Sequence, residues 1–498
     1  MTCISGFYII KEMEATVSDV NVQALQRGLH FLLYGEEGKE NEMEEKNKMG
    51  TMAMPKLVIN MSLPLMISLL VQSLYNIVDS IFVARMGEAA LTAVSLAFPV
   101  QILMVAFSVG TSVGLSALLS HSLGAGDRKT AGNTAASGVL LALAGMAVFM
   151  ILGIFCSGTF VRLFTEDPEI GAYCEEYLFI CMVFCGGTFL STMYQRFLQS
   201  VGDTFDSMIT LVSGAVTNTI LDPIMIFGWL GLPAMGVRGA AIATVIGQWV
   251  SALLAILLNR FRNPEVKVRF RGYRPDPRVF REIYRVGLPT IVTQALGSIM
   301  VTAVNGILIS FSSTAVAFFG VYYKLQNFLC LPMNGLGQAS IPIAGYNLGA
   351  GKKERVLQLL KTVVPIGAGV GIAAALLFAA LPAQLLGLFS ASREMLELGL
   401  PALRIICGTF PLAAVTIVMG YTISGLGNGV INMLGTALRQ LVLLVPAVYL
   451  FSRYLGIAYA WYGFWVSETA AVICCALLVR RELRRKGILQ AGQKDSVR

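Results

Sequence analysis

Charge is what this 498-residue chain has least of, since Asp, Glu, Lys and Arg make up 13% of it, against about 25% in a soluble domain. Hydrophobic residues make up 56% and the mean hydropathy is +0.71, which excludes an ordinary water-soluble fold and leaves a polytopic membrane protein. Histidine is nearly missing: His30 and His121 are the two present, no His-Glu-x-x-His occurs, and an intramembrane metalloenzyme has nothing to work with. The chain also has no Gly-x-x-x-x-Gly-Lys-Ser/Thr loop, which argues against ATP hydrolysis and for transport driven by an ion gradient. Gly110-Thr-Ser-Val-Gly114 fits the Gly-x-Ser-x-Gly nucleophile pattern, but that motif needs a strand–turn–helix setting. Here it lies inside an apolar run, where small residues serve helix packing. Of nine cysteines, Cys156, Cys181, Cys185, Cys330, Cys407, Cys474 and Cys475 sit in or beside apolar helices without metal-ligand spacing and read as packing residues. The first fifteen residues lack the basic start and apolar core of a cleavable signal peptide.

What is abundant is membrane-length apolar sequence. Roughly 20 mostly apolar residues cross a bilayer as a helix, and the runs suit helices rather than alternating strands. Twelve are read, near residues 57–84, 89–120, 130–157, 170–199, 206–230, 238–259, 283–311, 314–345, 357–388, 395–424, 430–452 and 456–479. Pro64, Pro99, Pro289, Pro332, Pro342, Pro411 and Pro446 fall inside them, where each frees a carbonyl and permits bending. The formal charge of +8 is a topology signal rather than a nucleic-acid footprint. Arg260, Arg262, Lys267, Arg269, Arg271, Arg274, Arg278, Arg281 and Arg285 crowd one connection, and Arg480, Arg481, Arg484, Arg485 and Lys486 follow the last helix. Both termini are therefore expected in the cytoplasm, and the acidic loop with Arg162, Glu166, Asp167 and Glu169 outside.

The halves repeat each other at an offset of 225 residues: Pro64 aligns with Pro289, Gln101 with Gln326, Gly110 with Gly335, Gly124 with Gly349, Gly126 with Gly351, Gly202 with Gly427 and Gly231 with Gly456. Six helices per copy give both copies the same orientation, so the fold class is all-α, with 12 transmembrane helices in two parallel-repeat lobes related by an axis along the membrane normal. The expected organisation is a disordered cytoplasmic tail at 1–50, an N lobe at 51–260, a basic cytoplasmic linker at 261–282, a C lobe at 283–480 and a basic tail at 481–498. The first tail ends in a mixed acidic run, Glu36 to Lys48, and Met43 and Met49 offer alternative starts.

Positions where the copies differ by a costly polar group carry the functional information. Asp79 aligns with Val304, Asn218 with Leu443 and Asp222 with Ala447. Ionisable groups in membrane helices usually face a cavity and carry function. Asn218 and Asp222 share one face of a helix, and Thr244 on the next helix is placed to add an oxygen. Two carboxylates, an amide and a hydroxyl suit a hard cation such as Na+. They suit H+ equally, because a desolvated carboxyl beside another holds a proton to higher pH. No resident cofactor is expected; the coupling ion is H+ or Na+. Secondary candidates for cavity or polar roles are Gln294, Asn305, Lys324 and Glu468, with Glu468 near the repeat position of Thr244. Arg196, Arg404 and Arg439 are read as structural residues near helix ends.

The stretches Met61-Ser-Leu-Pro64, Tyr75-Asn-Ile-Val-Asp-Ser-Ile-Phe-Val83, Ala90-Leu-Thr-Ala-Val94, Asn218-Thr-Ile-Leu-Asp-Pro223, Gly239-Ala-Ala-Ile-Ala-Thr244 and Ile341-Pro-Ile-Ala-Gly-Tyr-Asn-Leu-Gly-Ala-Gly351 together resemble the multidrug and toxic compound extrusion (MATE) transporters over about residues 49–485. The resemblance implies a V of two six-helix lobes, export of cationic or amphipathic compounds in exchange for H+ or Na+, and a cation site at Asp79, Asn218, Asp222 and Thr244. The chain departs from the NorM-like and eukaryotic branches, which carry a glutamate about eight residues after the proline of helix 7; here the segment reads Thr290-Ile-Val-Thr-Gln-Ala-Leu-Gly-Ser298. It looks closer to the DinF-like and MepA-type branch, with coupling in the N lobe. The expected setting is a bacterial plasma membrane, the expected partners are small molecules and lipid rather than nucleic acid, and the expected state is monomeric. A rival reading is a lipid or lipid-linked oligosaccharide flippase, whose cavity should carry a cluster of basic residues. A receptor or membrane enzyme would need a soluble domain or catalytic constellation, and the sequence has neither.

Overall fold

The computed structural model describes residues 47–268, 270, 273–389 and 392–489. Residues 1–46 and 490–498, which hold most of the two expected tails, and Arg269 and Arg271 of the linker lie outside the described residues. Among the described residues there is no strand. The first half holds α1 (Met54–Ala84), α2 (Glu88–Gly124), α3 (Arg128–Phe164), α4 (Pro168–Val183), α5 (Gly186–Ser200), α6 (Thr204–Phe227) and α7 (Val237–Arg262). The second holds α8 (Pro277–Leu308), α9 (Ser313–Gly349), α10 (Lys353–Ala380), the short α11 (Pro382–Gly387), α12 (Arg393–Cys407), α13 (Phe410–Gly425), α14 (Gly429–Ala437), α15 (Leu444–Tyr454) and α16 (Tyr462–Arg485). A π-helical turn, Leu438–Leu443, joins α14 to α15.

By length and composition, nine of these segments qualify as membrane spans, and two bent pairs bring the number to eleven among the described residues. The remaining expected span is α9. It is 37 residues long, ample for crossing, but Lys324, Gln326, Asn327, Asn334 and Gln338 make it too polar to qualify on apolarity. The bent pairs occupy matching places in the halves. α4 and α5 meet at 44° and α12 and α13 at 49°. Carbonyls freed near the breaks are taken up by indoles: Trp249 Nε1 donates to the Phe184 carbonyl at 3.3 Å and Trp465 Nε1 to that of Ile405 at 2.7 Å. Pro411 opens α13 instead of bending a continuous helix.

Repeated turns explain the repeated glycines. Gly126 and Gly351 have φ of +72° and +69°, and Gly202 and Gly427 have +92° and +84°, a region that L side chains seldom adopt. Each of these turns leads directly into a helix, with Asp127 accepting from the Thr130 amide at 2.9 Å and Asp203 from that of Asp206 at 3.0 Å as N-caps.

The cores cross between the halves of the sequence. Met54, Leu57, Val58, Met61 and Leu65 of α1 are buried among Leu336, Ile343, Leu359, Val418 and Ile423 of the second half. Val83, near the other end of α1, belongs to the first-half core. α8 does the reverse: Ile283 is buried in the first-half core, and Met300, Val304 and Leu308 in the second. Glycine contacts show the same two-fold relation. A Cβ on Gly110 would strike Ile291, and one on Gly335 would strike Met66; a Cβ on Gly124 would overlap the Tyr346 carbonyl, and one on Gly349 that of His121. Each pair is the other's repeat image. The α2–α9 contact closes the lobes together on the side of the α7–α8 linker.

The end of the expected N-terminal tail is folded. Lys48–Thr51 forms one helical turn, and Met49 is fully buried. Its carbonyl accepts from Asn347 Nδ2 at 3.0 Å and Arg355 Nη2 at 3.1 Å. These donors satisfy backbone groups that a tail in water would leave solvated, so residues 48–50 are held against the second half.

Gly349→Leu should force α2 and α9 apart and lower stability by about 1–3 kcal/mol, the usual cost of overpacking. Gly306→Leu, where an added Cβ meets nothing within 4 Å, should leave the thermal midpoint in detergent nearly unchanged. Equal midpoints for the two variants would refute the close α2–α9 contact.

Candidate functional site

α6 carries Asn218 and Asp222 one turn apart, with Pro223 directly after. α7 approaches α6 closely because Gly214 and Gly247 face each other: a Cβ on Gly247 would come within 2.7 Å of the Gly214 carbonyl oxygen, and one on Gly214 within 2.8 Å of that of Gly247. This places Thr244 beside Asn218. Asn218 Nδ2 donates to Asp222 Oδ1 at 3.2 Å and lies 3.3 Å from Thr244 Oγ1. α1 supplies the other acid: the Asp79 carboxyl lies within hydrogen-bonding reach of Asp222. Asp222 is fully buried and Asn218 is 3% exposed.

The four residues named from sequence are thus brought together, and their hydrogen bonding is incomplete. Asp79 Oδ1, Asp222 Oδ2 and Asn218 Oδ1 are buried with no partner. Ionised carboxylates only accept, so a site with three stranded acceptor oxygens lacks a donor or a cation. A proton shared between the carboxyls fits this deficit, and so does a hard cation held by the two carboxylates with the amide and hydroxyl oxygens. The described residues include no cluster of three or more His, Cys, Asp or Glu, and all-oxygen donors are a poor match for a transition metal.

Between the lobes lies a cavity of about 550 Å³ lined by residues of both halves. Asn218, Thr244 and Tyr75 are in its wall; Asp79 and Asp222 are not. The acid pair therefore sits behind the wall, in touch with the cavity through Asn218. Of the secondary candidates, Gln294 and Glu468 line the cavity, whereas Asn305 and Lys324 do not. Helix phase explains Lys324: Tyr323, Gln326, Asn327, Cys330 and Asn334 form the cavity face of α9, and a residue next to Tyr323 is turned about 100° away. Lys324 is exposed. Asn305 Oδ1 is buried without a partner.

The arginines expected near helix ends divide. Arg404 is exposed. Arg439 lies mid-span on the π turn, where Nη1 pairs with Glu468 Oε1 at 3.2 Å, with 13% and 6% of the two side chains exposed. A π turn shifts the helix register and often marks a functional position. Arg196 is near the end of α5 but is 4% exposed and lines the cavity, so the N lobe does present a basic residue to it. Sequence reasoning also passed over the amides of the wall, Gln72, Gln195, Gln248, Asn327, Asn334 and Asn432. Their signal was present in the chain: each is an uncharged polar side chain inside an apolar span.

The MatE family model matches residues 64–224 and 289–450, one match in each half. The probable multidrug resistance protein NorM of Thermotoga maritima is 27% identical over 417 residues, 82% of this chain and 88% of that protein. The multidrug export protein MepA of Staphylococcus aureus is 22% identical over 431 residues, 85% and 93% of the two chains. Among solved structures, a MATE protein in complex with MaL6 superposes with a TM-score of 0.83 at 26% identity, covering 89% of this chain and 99% of that one. An outward-facing multidrug resistance MATE transporter of the MOP superfamily gives the same values. With the family model matched in both halves and the two-lobed helical fold shared end to end, the chain belongs to the MatE family of membrane transporters.

Proposed function

We propose that this chain is a cation-coupled exporter of amphipathic small molecules, in which H+ or Na+ binds at Asp79 and Asp222 and the compound leaves through the cavity between the lobes. The observation that carries the reading is the contact between a half-buried carboxyl on α1 and a fully buried one on α6, backed by stranded oxygens. Two unit charges about 4 Å apart repel by about 4 kcal/mol at the effective dielectric of a protein interior. Without a cation, α1 and α6 are pushed apart at this point; with one, they are drawn together. Because α1 is buried in the second-half core at its other end, its position at Asp79 and the relation of the lobes are mechanically joined. Coupling follows if the cation and the compound prefer different lobe arrangements.

The cavity is lined by residues of both halves of one chain, which supports a single chain as the transport unit. The basic residues of the α7–α8 linker and of the end of α16 favour a cytoplasmic side for both termini. With the lobes closed on the linker side, the cavity then faces outward. A lipid or lipid-linked oligosaccharide flippase is the rival, but its pyrophosphate head group calls for a basic cluster, whereas of the two cavity arginines Arg439 is neutralised by Glu468 and Arg196 alone is left.

The test is efflux of ethidium from proteoliposomes with H+ and Na+ gradients imposed separately. Wild type should export under one of them, and Asp79→Asn and Asp222→Asn should each lower the rate tenfold or more at equal membrane abundance. Dye export that survives both substitutions would remove the acid pair from the mechanism, and wild type inert under both gradients would favour the flippase. Asn218→Ala withdraws the amide that orients Asp222, and should weaken the apparent affinity for the coupling cation roughly tenfold, about the value of a hydrogen bond to a charged group. An unchanged cation dependence would reduce Asn218 to a wall residue.

A further inference from the structure

Within the cavity, the ionisable side chains other than tyrosine and cysteine are Arg196, Arg439 and Glu468. Arg439 and Glu468 neutralise each other. Arg196 has no such partner: among the described residues no carboxylate forms an ion pair with it. Its Nη1 donates to Gln199 Oε1 at 2.8 Å, and its Nη2 to Gln338 Oε1 on α9 at 2.8 Å. Gln199 is fixed in turn, its Nε2 donating to Ser207 Oγ at 2.8 Å. The guanidinium is thus held by neutral amide oxygens from both lobes, 4% exposed, and keeps its full charge with nothing to balance it.

A buried charge without a counter-charge is expensive, and guanidinium is built to take a carboxylate or phosphate by two parallel hydrogen bonds. Asp79 and Asp222, the acids that could have balanced it, stand behind the wall. We propose that Arg196, with Gln199 and Gln338, forms an anion-binding subsite of the transport cavity that takes the carboxylate or phosphate group of an amphipathic substrate. This deepens the exporter reading and rests on it for the word substrate. It also changes the expected substrate class, because zwitterionic and acid-bearing amphipaths should be preferred over the same molecules without the acid.

The experiment uses one dye in two forms, a rhodamine with a free carboxylate and its ethyl ester, which share the same cationic ring system. Binding to the purified full-length protein in detergent is measured by fluorescence polarisation, and efflux from proteoliposomes is measured alongside. The carboxylate form should bind about tenfold or more tightly than the ester, in the range of a charge-assisted hydrogen bond. Arg196→Gln should bring the ratio to about one, and Arg196→Lys, which keeps the charge but not the fork, should give an intermediate ratio. Equal binding of the two forms by wild type, no binding of either, or a ratio that persists in Arg196→Gln would each overturn the subsite. Efflux separates this proposal from the reading it rests on: binding that discriminates without efflux fails the exporter and keeps the subsite, and efflux without discrimination does the reverse. Repeating the binding in nanodiscs with and without phosphatidylglycerol identifies the source of the anion. Displacement of the dye by that lipid assigns the subsite to a lipid headgroup, and an undisturbed ratio assigns it to a soluble compound.

Discussion

Two carboxyl groups within reach of each other and away from water cannot both be ionised without a cation, and the arrangement of helices around Asp79 and Asp222 turns on that constraint. α6 and α7 approach closely enough to present Asn218 and Thr244 because glycines replace side chains where they cross. Thr244 cannot neutralise either acid, and Asn218 supplies a single donor to Asp222. The oxygens left over are therefore a property of the site that the surrounding helices do not remedy, although a full complement of side-chain donors would be easy to supply. Buried polar groups without partners are rare in native proteins, and under the proposed coupling the three here are completed by the exchangeable cation.

Under the proposed coupling, the path by which such a site would act on the rest of the molecule is the crossing of the cores. A helix with both ends in one lobe would report the state of the acid pair only to its own lobe. α1 instead has its first turns, through Pro64 to Leu65, buried among Leu336, Ile343 and Val418 of the second half and its later turns beside α6. α8 gives the second half the same reach into the first. The two crossings, with α2 against α9 between them, make the interlobe contact a set of backbone-close glycine packings. Such contacts hold in one geometry and are lost altogether in another, since glycine leaves no side chain to adapt.

Much of the fold could be read from the chain because duplication writes each turn twice. Gly126 and Gly351 recur because the same left-handed turn recurs, and the glycine pairs 110/335 and 124/349 recur because each packs on the repeat image of the other's partner. The acid pair was legible for the opposite reason: a duplicated scaffold makes an unmatched Asp conspicuous. Other features left no such mark. The crossing of α1 and α8 between cores is long-range packing that periodicity does not encode, and the breaks at residues 184–185 and 408–409 depend on indoles from distant helices. α9 was read as a span despite its polarity, and the same polarity, once phased by the helix, separates Gln326 and Asn334 in the cavity from Lys324 outside it. Arg196 does stand near the end of α5, but its burial against Gln338 of α9 is long-range packing that the sequence does not mark.

The asymmetry of the two lobes has a simple electrostatic form. In the first half two acids meet with no basic side chain among the described residues paired to either, and under the proposed coupling the missing positive charge comes from outside. In the second, the helix position next to the repeat equivalent of Thr244 holds Glu468, and Arg439 on the π turn reaches it at 3.2 Å. The second lobe carries its own cation on a tether, which balances the charge of Glu468, while Arg439 Nε and Glu468 Oε2 stay buried without a partner. Arg439 stands within the π turn, whose register differs from that of a regular helix. A cavity with one self-neutralised wall and one wall awaiting a cation responds to an ion gradient on one side only, so under the proposed coupling the moving charge enters the first lobe. The second lobe then contributes a wall of fixed charge, and of the two arginines lining the cavity among the described residues Arg196 is the one left without a counter-charge.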